Sequence, residues 1–212
     1  MTAVAEVDQG ATEQAARVLS QGGIVALPTD TQYGLAALAS NGAAMMKLFH
    51  LKRRPDDQAL PIFLPDHSWL GRVATDVSPN IQRLAQAVWP GAVTLVLRRN
   101  PQWYSLAAPY ETVALRIPAH PVARALLDKV GAPLTGTSAN RHQEPAATTP
   151  EAVLELFGST VEILQPSGLL PAGKPSTILD CTGAEPQVLR SGLVGEEDIR
   201  ALLAGETDRA QT

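Results

Sequence analysis

The sequence predicts an α/β fold, a twisted open sheet of mixed parallel and antiparallel strands flanked by helices. Three observations lead there. Short apolar runs alternate with segments of helical periodicity, and Gly or Pro bounds each of them. The late strand-like runs are joined by tight connections, which calls for some antiparallel pairing. Neither an internal repeat nor a long linker interrupts the pattern. The 212 residues therefore read as one domain, with a core over about 12–203 and short disordered tails.

Each element has a local reason. Thr12 to Ser20 places Ala15, Val18 and Leu19 at helical spacing, and Gly22-Gly23 can end that helix in the left-handed region. Ile24 to Leu27 is wholly apolar and is expected as a buried strand; Pro28 stops it and a polar loop follows from Thr29 to Gly34. A helix is expected over about Asn41 to Lys52, with Met45, Leu48, Phe49 and the Lys52 stem on one side. Leu60 to Leu64 reads as a strand that tolerates Pro61 only near its start or on an edge. Ser78-Pro79 begins a helix, because Ser accepts from free N–H groups and Pro has none to lose. Ile81, Leu84, Ala85 and Val88 then form its inner face.

Val93 to Leu97 and Val113 to Ile117 are rich in β-branched residues and are expected as strands. His120-Pro121 opens a helix that Gly131 closes, and Pro133-Leu134-Thr135 leads into another loop. Thr149-Pro150-Glu151 caps a helix that runs to Phe157 and ends at Gly158. Strand-like runs follow at Val161 to Leu164, Thr177 to Leu179 and Gln187 to Arg190, with a last helix from near Gly195.

Composition removes several function classes. A single cysteine, Cys181, forbids an intrachain disulfide framework and a thiolate zinc cluster, which fits a reducing compartment. No apolar run approaches the roughly twenty residues of a membrane span. The first twenty residues include Glu6, Asp8, Glu13 and Arg17 and hold no apolar block, so no secretory signal is read there. A cytoplasmic location is expected. The net charge of −4 argues against a dedicated nucleic-acid packaging protein.

Some motifs mislead. Gly168 to Pro175 falls one residue short of a phosphate-loop signature, because Pro175 stands where the magnesium-binding hydroxyl belongs. A loop over a site is the better reading. Gly136 to Asn140 hints at a nucleophile elbow but lacks its closing Gly. No pair among His50, His67, His120 and His142 has metal-ligand spacing, and Cys181 reads as a small buried hydrophobe. No metal site is expected on the protein.

What remains are polar clusters just past strand ends, where open α/β sheets bind ligands. They are Thr29-Asp30-Thr31, Lys52-Arg53-Arg54, Arg116, Thr137-Ser138-Asn140, Ser176-Thr177 and Arg190. This cationic and hydroxyl-bearing set suits a triphosphate plus a carboxylate that Arg can grip. Bland readings exist for each. Taken alone, Lys52-Arg53-Arg54 reads more readily as a solvated helix end that complements the dipole, and the hydroxyls read as turn formers. A guanidinium in the apolar strand Val113 to Pro118 needs an anionic partner, either a ligand or the protein itself.

In order and spacing these residues resemble the YrdC-like threonylcarbamoyl-AMP synthases. The resemblance runs from about Gly22 to Gly192. It is carried by Gly23 to Thr31 with Tyr33-Gly34-Leu35, by Lys52-Arg53-Arg54-Pro55, and by Trp89-Pro90-Gly91 before Thr94-Leu95. Val113 to Pro118 with His120-Pro121, Thr137 to Asn140, Pro175 to Ile178 with Asp180, and Arg190-Ser191-Gly192 complete it.

The resemblance implies a twisted mixed sheet around a concave basic cavity, and an enzyme that joins L-threonine, bicarbonate and ATP into threonylcarbamoyl-AMP with release of pyrophosphate. A partner complex would then move the threonylcarbamoyl group onto an adenosine beside the anticodon of tRNA. The resemblance leaves room for weak tRNA binding and implies no membrane partner. Threonine would be bound by Thr31, Arg116, Ser176 and the backbone near Gly136. ATP would be bound by Lys52, Arg54, Gln58, Thr112, Ser138, Asn140 and Arg190, with Lys52 and Arg54 as the catalytic pair. Magnesium would be held mainly by the ATP phosphates, and no organic cofactor is implied.

The chain departs from the family pattern at several points. Gln58 replaces a common Asn, Phe63 a threonine-contacting His, Gln143-Glu144 a Ser-Gly pair, Ala146 a Ser and Asp30 a Glu. The extra C-terminal domain of the long members is not expected, as in the short bacterial form. Two rival readings are a non-catalytic RNA-binding module built on Lys52-Arg53-Arg54 and Arg98-Arg99, and a paralogue with another acyl or phosphate reaction. A 4% aromatic content offers little for base stacking, which weakens the first rival.

Overall fold

The computed structural model describes residues 7–165 and 172–209, the last helix beyond 202 in its backbone only. The helices are α1 (Gln9–Ser20), α2 (Gly42–Lys52), α3 (Leu70–Val73), α4 (Pro79–Val88), α5 (Pro121–Val130), α6 (Pro150–Phe157) and α7 (Glu196–Arg209). The strands are β1 (Val25–Pro28), β2 (Tyr33–Ala36), β3 (Ile62–Phe63), β4 (Val93–Arg98), β5 (Thr112–Arg116), β6 (Leu134–Thr135), β7 (Thr137–Ser138), β8 (Glu162–Ile163), β9 (Thr177–Asp180) and β10 (Gln187–Arg190).

Local chemistry sets the helix ends. Ser78, Thr149 and Asn41 accept from the backbone N–H groups of Ile81, Ala152 and Ala44, and Pro occupies the first turn of α4, α5 and α6. His120 caps α5 through Nδ1, which accepts from Val122 N at 3.2 Å. Gly131 ends α5 at a φ of 65°, the left-handed geometry expected of it. One cap lay outside the sequence reading: Asp8 accepts from Ala11 N, so α1 starts at Gln9 and not at Thr12.

The strands form two sheets, where the sequence reading had a single one. The first has the order β7-β2-β1-β8 and the second β10-β9-β4-β5-β3-β6. Both are mixed, as expected. β1 pairs antiparallel with β2 and parallel with β8, while β4 pairs antiparallel with β5 and parallel with β9. β6 belongs to the second sheet and β7 to the first, with Gly136 alone between them. A bridge between Leu38 and Leu134 also joins the sheets, and Thr135 N donates to Ala37 O at 2.9 Å.

Two expectations need correction. The polar loop after Pro28 is shorter than predicted: Thr29 and Gln32 close a tight turn through Thr29 N to Gln32 O, and Tyr33 already begins β2. Within Leu60 to Leu64 only Ile62 and Phe63 pair as a strand, since Pro61 has no N–H to give a ladder. The short helix α3 went unforeseen.

One apolar cluster packs α2 and α4 against the second sheet through residues such as Leu48, Leu84, Leu95 and Leu115. A second packs α1 and α5 on β1 through Leu19, Leu27, Leu126 and Leu127. No helix among the described residues is long and apolar enough to cross a membrane. The tails expected to be disordered fall partly outside the described residues, as does most of the loop from Gly168 to Lys174.

Candidate functional site

A cavity of about 330 Å³ opens where the two sheets meet. The β1–β2 turn contributes Thr29 and Thr31, and the segment after α2 contributes Arg54. Phe63 comes from β3, Thr94 from β4 and Arg116 from β5. Gly136 and Ser138 come from the crossing between sheets, and Ser176 and Arg190 from the β9–β10 hairpin. Among the described residues, three arginines and no Asp or Glu line it.

Arg116 is 4% exposed, and the protein holds it on three sides. Nε donates to Gly91 O at 2.8 Å, one terminal nitrogen to Thr31 Oγ1 at 3.0 Å and the other to Asp30 Oδ1 at 2.7 Å. Its guanidinium carbon lies 5.7 Å from the centroid of the Phe63 ring. A guanidinium has five N–H groups, so two remain without an acceptor among the described residues. Burial lowers its pKa, and Asp30 acts in the opposite direction.

Beside Arg116, on the neighbouring strands of the second sheet, lies a polar relay. Arg190 donates to Ser176 O at 2.8 Å and to Ser176 Oγ at 3.2 Å, and Ser176 Oγ pairs with Thr94 Oγ1 at 2.9 Å. Burial, with the like charge of Arg116, lowers the pKa of Arg190. Arg54 donates one terminal N–H to Ala59 O at 2.9 Å, while its buried Nε has no partner among the described residues. An orphaned buried donor is costly unless a ligand satisfies it.

Lys52 is not on the cavity wall, and its ammonium is fully spent. Nζ donates to Ser138 O at 2.5 Å, and to the backbone and side-chain oxygens of Asn140 at 2.8 Å each. The residue is 1% exposed, so the solvated-helix-end reading fails for it. Burial, with Arg54 beside it, pulls its pKa down to about 7. Arg53 ends α2 at a φ of 52°, and this left-handed turn sends Arg54 toward the cavity while Lys52 stays beneath it.

The structure therefore brings Thr31, Arg54, Arg116, Gly136, Ser138, Ser176 and Arg190 to one cavity. Asn140 stands behind the wall, accepting from Lys52 Nζ and Ser138 Oγ. Thr112 pairs with Arg98 across β5 and β4, and neither it nor Gln58 lines the cavity. Sequence reasoning missed Thr94 and the Gly91 carbonyl as site residues. A buried polar residue in the apolar run of β4 was the one available signal for Thr94.

Among the described residues no group of three or more His, Cys, Asp or Glu is placed to hold a metal ion. Asp30, between two lining threonines, is committed to Arg116 and to Ala119 N. The donor set suits anions.

Known proteins resemble this chain in sequence and in fold. The chain is 36% identical over 192 residues to the threonylcarbamoyl-AMP synthase of Bacillus subtilis, a match that covers 90% of this chain and 56% of that protein. It is 36% identical over 169 residues to the threonylcarbamoyl-AMP synthase of Halorhodospira halophila, covering 78% of this chain and 87% of the relative. The crystal structure of P. abyssi Sua5 complexed with L-threonine superposes with a TM-score of 0.85 at 33% identity, covering 90% of this chain and 56% of that one. The chain thus spans about half the length of two of these three proteins. The Sua5_yciO_yrdC family model, described as telomere recombination, matches residues 17–192, from within α1 to the turn after β10. With the cavity enclosed by that span, this chain belongs to the Sua5/YciO/YrdC family.

Proposed function

We propose that this chain is a threonylcarbamoyl-AMP synthase that joins L-threonine, bicarbonate and ATP and releases pyrophosphate. One observation carries the reading. Arg116, with two N–H groups that have no acceptor among the described residues, lines the same cavity as Arg54 and Arg190, so a carboxylate and a polyphosphate find separate cationic holders in one cavity. The names of the relatives, and the L-threonine in the P. abyssi structure, support the same choice of substrates.

In this reading Arg116 takes the carboxylate of threonine, with Thr31, Ser176 and the backbone at Gly136 around the amino acid. Arg54, Arg190 and Ser138 take the nucleotide. The amine adds to bicarbonate and loses water to give a carbamate. A carbamate oxygen then bonds to the α-phosphorus of ATP while the bond from that phosphorus to the bridging oxygen of pyrophosphate breaks. No side chain forms a covalent intermediate. Rate comes from holding two anions in contact and from the cations facing the charge that develops on pyrophosphate. Magnesium enters on the ATP phosphates, as part of that substrate. A cytoplasmic partner would carry the threonylcarbamoyl group on to tRNA.

The test is pyrophosphate release with ATP and bicarbonate, with L-threonine present, omitted or replaced by L-serine. Release that requires L-threonine supports the reading. Release indifferent to the amino acid points to a paralogous reaction, and tRNA binding without any release points to an RNA-binding module.

A further inference from the structure

Lys52 is a buried cation that no carboxylate bonds among the described residues, and such a group is expensive to keep. Its bonds indicate its use. All three ammonium protons go to one short segment, to Ser138 O and to both oxygens of Asn140. Its own carbonyl accepts from His142 N at 2.8 Å, so Lys52 grips the 138–142 turn at both ends. Ser138 Oγ then donates to the same Asn140 Oδ1 that Lys52 fixes, at 2.8 Å. Ser138 is thereby oriented at the cavity wall from behind.

We propose that Lys52 is a positioning residue: its ammonium holds the 138–142 turn that presents Ser138 to the nucleotide side of the cavity, and it does so only while protonated. A neutral amine has two N–H groups and a lone pair, which leaves one of three facing oxygens opposed by a lone pair. The assignment of the nucleotide to that side rests on the reading above; the grip on the turn does not.

Burial and the charge of Arg54 place the ionisation at about 7, within the working range of a neutral-pH enzyme. The other charged or titratable groups nearby in the chain are Arg53, next to Lys52, and Arg141, His142 and Glu144 on the gripped segment. Histidine ordinarily ionises in this window, so His142→Gln is the control.

The experiment has two arms. In the ligand-free protein, amide hydrogen exchange of residues 139–147 is followed from about pH 6 to about pH 9 and corrected for intrinsic rates. Protection in the wild type should fall as pH rises through about 7, persist in His142→Gln with the same fall, and stay level in Lys52→Arg, whose guanidinium keeps its charge. In the second arm, Lys52→Met should raise KM for ATP by about tenfold while KM for threonine stays within about twofold. Level wild-type protection, a fall that Lys52→Arg retains, or equal rises in both KM values would each overturn the proposal. The exchange profile needs neither turnover nor the Met variant. A protein that releases no pyrophosphate yet shows the fall would refute the functional reading and leave the role of Lys52 standing.

Discussion

Arg116 and Asp30 meet at 2.7 Å across 86 residues of sequence, with side chains only 5% and 19% exposed. Asp30 is the one carboxylate bonded to this guanidinium among the described residues, and it fixes the plane in which the two remaining N–H groups lie. Removing one partner of a buried pair leaves the other charge uncompensated. Asp30→Ala should therefore cost about 3 kcal/mol of stability in urea titrations. It should also raise KM for threonine far more than KM for ATP. A cost near that of an exposed pair, below about 1 kcal/mol, would show that the bridge does not carry the buried charge.

Gly136 tests the wall between the sheets. A Cβ there would sit 2.3–2.5 Å from three atoms of the Phe63 ring, closer than carbon atoms can approach. Gly136→Ala should destabilise the protein by about 1–3 kcal/mol, the usual range for overpacking. Adding Phe63→Leu should recover part of that loss. A double variant no more stable than Gly136→Ala would locate the strain in the backbone and not in the ring.

The Thr94–Ser176–Arg190 relay makes a separate prediction. Thr94→Val keeps the shape of the strand residue but removes the hydroxyl that pairs with Ser176 Oγ. A loss of about 1 kcal/mol is expected for the missing bond. With Ser176 Oγ left to Arg190, KM for threonine at saturating ATP should rise several-fold. Unchanged stability and unchanged KM would remove the relay from the site.

Cys181 should be inert in the folded protein. Burial, with Asp180 beside it, pushes its thiol up to about 12, so the thiolate that reacts with labelling reagents is scarce at pH 8. Labelling at that pH should be slow in the native protein and complete once urea unfolds it. Fast native labelling would mean that the end of β9 opens readily.

The sequence disclosed what is decided within a few residues. Ser78-Pro79, Thr149-Pro150 and Gly131 mark helix ends because a cap needs only its own turn. The wall residues Arg54, Arg116, Ser138, Ser176 and Arg190 stood out as cations and hydroxyls near strand ends. What stayed hidden depends on partners far away in the chain. Lys52 reads as a phosphate clamp until its oxygens appear 86 and 88 residues downstream. Tyr33-Gly34 reads as the end of a polar loop, yet it is a strand because β1 and β7 flank it. The division into two sheets turns on one residue, Gly136, whose neighbours pair with strands of different sheets.

No stretch of the chain holds the cavity on its own; its walls are drawn from Thr29 through Arg190 and from both sheets. An unfolded or truncated chain therefore presents no partial version of the pocket, and any occupant recognises only the finished molecule. Its whole affinity then appears as resistance to unfolding. A shift in melting temperature becomes a direct way to rank candidate occupants before a single turnover has been measured.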